Sequence, residues 1–194
     1  MRESTPPGAP VRREKDGRSW RIGTQIDVDW ILDGTENGLT ITSGIPPVFE
    51  AYATVVLPDR DENRPLDDEL LLGLLGEESD AQPWWLGYLD VSGDDVIFPD
   101  VPMVTLYAGW QYVLVEAGRP QATDWRIDDA WKGALPDLVF PADRSWLLST
   151  LWDDDWRCLG GSRHLVQRIV DHPGLDAREV RLGVDATPPG HVAR

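Results

Sequence analysis

Apolar residues spaced three or four positions apart predict four short helices. The clearest is residues 65–76, where acidic side chains open the segment and Gly76 follows the last leucine. Its expected buried face consists of Leu70, Leu71, Leu74 and Leu75. The other predicted helices are residues 27–32, with Val28, Ile31 and Leu32 as the apolar stripe; residues 46–52, opened by Pro46-Pro47; and a segment that follows Ser162 and ends at His172.

Shorter apolar runs between turn residues predict the strands of a sheet. These runs are residues 53–57, 84–89, 96–98, 103–107, 110–115, 145–152 and 177–182. Ala108-Gly109 predicts a hairpin between two of them. The run at 145–152 is apolar on both sides, which is typical of a strand in the middle of a sheet.

Together these segments predict an α+β fold, with a mixed or mainly antiparallel sheet flanked by about three or four short helices. A chain of 194 residues is long enough for one large domain with its own core. We expect that domain at residues 20–185. Residues 1–19 are rich in proline, glycine and charge and predict a disordered arm, and residues 186–194 predict a flexible tail.

The net negative charge of the chain excludes some classes of binding partner. The chain has 34 acidic and 18 basic residues and a net charge of −16. This charge repels nucleic acid and anionic membranes, so neither is an expected partner, and it attracts basic proteins. No apolar run approaches the roughly 20 residues that span a bilayer. Residues 1–19 contain no apolar stretch typical of a secretory signal, so the expected location is cytoplasmic.

The reactive side chains form no recognisable catalytic or metal-binding pattern. Cys158 is the single cysteine, which excludes an intramolecular disulfide and a multi-cysteine zinc site. His164 follows Ser162 by two positions, and side chains at that spacing diverge on a helix. Acidic pairs such as Asp67-Asp68 fall at predicted turns or helix ends and are expected to face water. No catalytic residue, metal ligand or cofactor is therefore predicted.

The most distinctive run is Trp152-Asp153-Asp154-Asp155-Trp156. Adjacent carboxylates must reach water, a cation or a basic group, whereas tryptophan anchors cores and interfaces. We interpret these five residues as a candidate partner-binding edge, with a polar turn between two core tryptophans as the alternative. A calcium loop is disfavoured because the central glycine and distant glutamate of an EF-hand are absent.

Tryptophan supplies a second hypothesis. The chain has ten tryptophans and three phenylalanines, so indoles must provide much of the bulk of the core. An indole also offers a flat apolar surface with one hydrogen-bond donor, which suits a ligand groove. The candidate pocket-lining residues are Trp84, Trp85, Trp110, Trp125 and Trp131.

Residues 45–54, IPPVFEAYAT, and residues 149–156, STLWDDDW, resemble stretches of small, uncharacterised, acidic actinobacterial proteins. The resemblance extends over most of the expected domain and implies a bacterial cytoplasmic protein. It carries no catalytic residue to transfer. In size and acidity the chain is also similar to immunity proteins that neutralise basic toxins, which is an analogy of class.

Three functional hypotheses follow. The leading one is a non-enzymatic acidic protein-binding domain, an inhibitor or immunity-like partner of a basic protein. The second is a small-molecule-binding protein or small enzyme with a tryptophan-lined, acid-rimmed pocket. The third is an accessory protein whose acidity serves only solubility. The sequence leaves the identity of the partner and the oligomeric state open.

Overall fold

The computed structural model describes residues 10–58, 64–79, 81–90, 98–126, 135–151 and 154–193. The helices are α1 (Gln25–Leu32), α2 (Arg64–Ser79), α3 (Arg119–Asp124) and α4 (Arg163–Val170), with a 3-10 turn at Ile41–Ser43. The strands are β1 (Arg12–Lys15), β2 (Arg18–Ile22), β3 (Ala51–Val56), β4 (Trp84–Leu89), β5 (Val104–Leu106), β6 (Trp110–Ala117), β7 (Leu138–Pro141), β8 (Leu147–Ser149), β9 (Trp156–Gly161) and β10 (Ala177–Val180).

Among the described residues, ten strands form one sheet, and every strand pair is antiparallel. The order is β1-β2-β6-β4-β7-β8-β9-β3-β10, and β5 joins the edge of β6 that also pairs with β2. This arrangement confirms the α+β fold with a mainly antiparallel sheet. β8 lies between β7 and β9, which confirms the expected central strand.

One side of the sheet, which we call the helix face, is covered by α2 and α4. Leu71 and Leu75 of α2 and Ile169 of α4 are fully buried in the same apolar cluster. The rings of Trp84 and Trp146 meet edge to face in that cluster, with centroids 5.0 Å apart. Such a contact between large buried rings contributes packing beyond simple area burial.

The opposite side, which we call the loop face, is covered by α1 and the irregular segments 33–50 and 185–193. Val28 and Ile31 of α1 pack there as expected from their spacing. A glycine in β9 lets the covering segment come close, because a Cβ atom at Gly160 would lie 2.4 Å from Cδ2 of Phe49 and 2.6 Å from Cγ2 of Ile45. The loop face is therefore packed by irregular chain that follows the sheet surface.

Residues 10–19 do not form the expected disordered arm. β1 and β2 make a hairpin in which Lys15 pairs with Arg18. The two loop residues, Asp16 and Gly17, have φ values of 54° and 70°. Two positive φ angles give the twist that a two-residue hairpin needs, and Asp-Gly is a favoured sequence for it. The hairpin is anchored where Trp20 meets Trp125, with ring centroids 5.1 Å apart.

Two predicted helices need correction. Residues 46–50 form turns rather than a helix, and β3 begins at Ala51. The Tyr52 hydroxyl accepts the backbone N–H of Phe49 and donates to its carbonyl, both at 3.0 Å, so a side chain satisfies groups that a helix would pair internally. The second correction concerns α2, which continues past Gly76 to Ser79.

The C-terminal segment also differs from the flexible tail that the composition predicted. The backbone N–H of Ala186 donates to Leu39 at 2.7 Å, and the Arg178 guanidinium donates to the Thr187 carbonyl at 2.7 Å. Residues 185–193 therefore follow the loop face through specific contacts. β10 ends at Val180, before the end of the predicted run 177–182, and Leu182 is 48% exposed.

Candidate functional site

The acidic run divides into buried and exposed residues. Asp154 is 6% exposed, and Trp156, the first residue of β9, is 3% exposed. The Asp155 side chain is 58% exposed, and its carboxylate lies 2.8 Å from Nδ1 of His191. Trp152 and Asp153 lie outside the described residues. Residues 154–156 thus present one exposed carboxylate to solvent rather than a row of acids.

Asp154 and Trp156 instead line a small cavity on the loop face, together with Trp110 at the start of β6. We call this cavity of about 130 Å³ the tryptophan pocket. Cys158 contributes to one wall, and the C-terminal segment closes another through residues that include Ala186 and Thr187. Two residues of the predicted partner-binding edge and one predicted pocket tryptophan are therefore brought together here.

Cys158 is an unreactive thiol in the wall of this pocket. Burial, with a smaller contribution from the negative charge of Asp154, raises the pKa of its thiol to about 12, and a hydrogen bond with Trp156 opposes the shift. A thiol with such a pKa carries almost no thiolate at neutral pH, and the thiolate is the nucleophile. Cys158 is therefore unsuited to nucleophilic catalysis.

The structure does not bring the predicted pocket tryptophans into one groove. Trp84 and Trp125 pack in the cluster on the helix face, whereas Trp85 and Trp110 belong to the cluster on the loop face. Alternation along β4 explains the division, since adjacent strand residues point to opposite faces. Trp131 lies outside the described residues. Trp84 and Trp85 are 1% and 6% exposed, so both serve first as core residues.

A large cavity lies beside α2 on the helix side of the molecule and has a volume of about 1030 Å³. We call it the leucine groove, because Leu66, Leu70 and Leu74 line it at intervals of one helical turn. Leu66 is 59% exposed and Leu70 is 36% exposed. The opposite wall is the start of α3, including Arg119 and Pro120, and Trp84 closes part of the floor.

Charged groups surround this apolar floor unevenly. Glu69 and Glu77 of α2 line the groove, with Arg119 and His172 across from them. Glu77 is paired with Arg168 of α4. The α2 side of the groove is thus acidic, while its α3 side carries one guanidinium.

The sequence did not predict the groove, because Leu70 and Leu74, which line it, were assigned to the buried face together with Leu71 and Leu75. Leu71, Leu72 and Leu75 are buried against the sheet, whereas Leu70 was expected to be buried and is partly exposed. The signal was present in the sequence. Six leucines between positions 66 and 75 occupy more of the helix circumference than one buried stripe accommodates.

The expectation that acidic pairs face water is wrong for Asp68. Its carboxylate lies 2.6 Å from the Arg157 guanidinium, and the two side chains are 2% and 3% exposed. A second buried pair joins Asp137 to Arg126 at 2.7 Å, and Asp137 also accepts the backbone N–H of Leu89 at 2.9 Å. Buried charges need partners of this kind, so these pairs are explained as parts of the fold.

His172 and the serine that precedes α4 have structural contacts. The Ser162 hydroxyl accepts the backbone N–H of Leu165 at 3.1 Å and so caps α4. His172 Nδ1 accepts the backbone N–H of Gly174 at 3.1 Å. In the described part of the chain, no group of three or more histidine, cysteine, aspartate or glutamate side chains is arranged to hold a metal ion.

The fold and these cavities define the chain as an α+β protein with an antiparallel sheet, an open apolar groove on one side and a small polar pocket on the other. Within the residues that the structure describes, no helix has the length and apolar character needed to cross a bilayer. Comparison with protein-family models, curated proteins and solved structures gives no significant match.

Proposed function

We propose that this protein is a non-enzymatic, acidic protein-binding domain, an inhibitor or immunity-like partner of a basic protein. The observation that supports the proposal most directly is the leucine groove, where Leu66 and Leu70 are exposed beside a cavity of about 1030 Å³. Large exposed apolar patches are unusual on monomers and commonly mark interaction sites. A net charge of −16 adds long-range attraction for a basic partner.

The groove favours one kind of occupant, an amphipathic helix with basic flanks. Leu66, Leu70 and Leu74 line it over two turns of α2, a distance of about 12 Å. That spacing matches apolar side chains at successive turns of a docked helix. Lysine or arginine on the flank of the helix would face Glu69, since Glu77 is already paired with Arg168, while the partner's apolar side chains provide most of the affinity.

The acidic run has a lesser role in this proposal than the sequence predicted. Asp155 offers an exposed carboxylate, but Trp156 is buried. Truncation of Trp156 would therefore lower stability and binding together and would not discriminate between hypotheses. Leu70 is the better position for a test substitution, because its side chain lies at the groove surface and is not part of the buried core.

The test uses a designed amphipathic peptide with a leucine stripe and a lysine flank, and a second peptide with the same stripe and a glutamate flank. We expect saturable binding of the lysine peptide that weakens as salt is raised, and little binding of the glutamate peptide. Leu70→Asp should weaken the lysine peptide by about tenfold or more, which corresponds to about 1.4 kcal/mol. Isothermal titration calorimetry measures all three affinities.

Leu182→Asp is the matched control, because Leu182 is 48% exposed and does not line the groove. Its melting temperature and that of Leu70→Asp should both stay close to the parent value, since surface substitutions change stability by about 0.5 kcal/mol or less. Equal affinity of the two peptides, or equal loss of binding in the two variants, would contradict the proposal.

A further inference from the structure

The tryptophan pocket forms a second site, independent of the leucine groove and on the other face of the sheet. Its volume is about 130 Å³, and its walls include Trp110, Trp156 and Asp154. A cavity of about 150 Å³ is known to hold a molecule as large as benzene. The pocket is therefore large enough for a small organic molecule and too small for a peptide side chain with its backbone.

Among the residues that the structure describes, the wall of the pocket carries one acidic side chain. This side chain is the carboxylate of Asp154, and the other residues of the wall are apolar or neutral. His191 does not line the pocket; it lies 2.8 Å from the Asp155 carboxylate and meets the Trp156 ring edge to face.

Indole and carboxylate together are complementary to one class of ligand. A cation within about 6 Å of an indole centroid is attracted by the ring, most strongly when water is excluded. A cavity of about 130 Å³ has a radius of only about 3 Å, so any occupant lies within reach of its walls. A metal ion is a poorer match, because hard divalent cations take several oxygen ligands and the wall supplies one carboxylate.

We infer that the tryptophan pocket binds a small organic cation, an alkylated ammonium group held between Trp110, Trp156 and Asp154. The alkyl groups contact the indoles, and the positive charge is balanced by the carboxylate. Residues of the C-terminal segment, Ala186 and Thr187 among them, form part of the wall, so the bound cation also contacts this segment. The inference goes beyond the proposed protein-binding function and does not depend on it.

The experiment compares choline with 3,3-dimethyl-1-butanol, which has the same shape without the charge. Calorimetric titration of the full chain should give saturable choline binding at least about tenfold tighter than binding of the neutral alcohol. Trp110→Leu should reduce that preference severalfold, because leucine fills space without attracting the cation. Asp154→Asn should reduce it as well, since the amide keeps the shape of the carboxylate and removes its charge.

Two variants are used so that the test remains informative if one of them fails to fold. Asp154 is buried, and if Asp154→Asn loses its cooperative thermal transition, Trp110→Leu alone decides, because Trp110 is only partly buried. Equal affinities for choline and the alcohol would overturn the inference in favour of a merely apolar cavity. Absence of choline binding up to about 10 mM to the folded parent protein would overturn it altogether.

Discussion

The two faces of the sheet are covered in different ways, and their cavities differ accordingly. On the helix face, α2 can turn only one stripe toward the sheet, so Leu66 and Leu70 point away from it and border a groove of about 1030 Å³. On the loop face, irregular chain follows the surface so closely that the β9 glycine Gly160 has no room for a side chain. That face borders smaller pockets, the tryptophan pocket of about 130 Å³ and one of about 250 Å³ beside Tyr107. The rigid helix thus leaves one large groove beside it, whereas the irregular chain divides the remaining space into smaller pockets.

The largest effect should come from breaking the buried ion pair on the helix face. Arg157→Ala leaves Asp68 charged in a site that is 2% exposed, and removing one partner of such a pair costs about 3 to 5 kcal/mol of unfolding free energy. Arg168→Ala is the control, because the Glu77 side chain that it pairs with is 64% exposed and such pairs contribute about 1 kcal/mol or less. Urea denaturation measures both. Comparable losses of unfolding free energy in the two variants would contradict the larger stabilising role expected of the buried pair.

The next largest change in stability should come from crowding the tightly packed loop face. Gly160→Ala introduces a Cβ atom 2.4 Å from Phe49, and crowding of this kind in a core costs about 1 to 3 kcal/mol. Gly38→Ala, in the covering segment 33–50, provides the control, since nothing lies within 4 Å of its added Cβ atom. Its effect on the unfolding free energy should be about 0.5 kcal/mol or less. Thermal unfolding of the two variants gives the comparison. A neutral Gly160→Ala would mean that Phe49 and Ile45 shift freely.

The smallest effect at moderate pH concerns the thiol of Cys158. Its pKa rises from 9.0 to about 12 on folding, so the fold favours the neutral thiol. This contribution is complete below pH 9 and is lost as pH rises toward about 12, by about 1.4 kcal/mol for each pH unit above 9. Denaturant midpoints of the parent and Cys158→Ala should therefore converge as the solution becomes more alkaline. A disulfide reagent at about pH 8 should modify the unfolded chain much faster than the folded one; equal rates would contradict the burial of this group.

Local patterns in the sequence were enough to predict much of the fold. The strand at 84–89 matches β4, the Ala108-Gly109 hairpin joins β5 to β6, and the helix after Ser162 begins where its hydroxyl caps α4. Each of these depends on residues within a few positions of one another. The Asp16-Gly17 turn was an equally local signal, and composition of the surrounding arm wrongly outweighed it.

Features that depend on distant contacts were harder to predict. The Tyr52 side chain replaces the helix expected before β3 by bonding the backbone of Phe49. The partner of Asp68 is Arg157, far along the chain, so no residue near Asp68 in the sequence indicates that this acid is buried. The leading site shifted for the same reason, since α2 and α3 form the leucine groove only when both pack beside β4.

The sequence by itself determined the alternation and helical periodicity, and through them the α+β class, because these patterns follow from backbone geometry. It also determined the net charge of −16 and therefore the kind of partner that is attracted at long range. Only the tertiary structure decided which of the ten tryptophans and which acids share a cavity. Asp154 and Trp110 line the same cavity because Trp110 begins β6 and Asp154 lies just before β9, and such proximity depends on packing across the whole sheet.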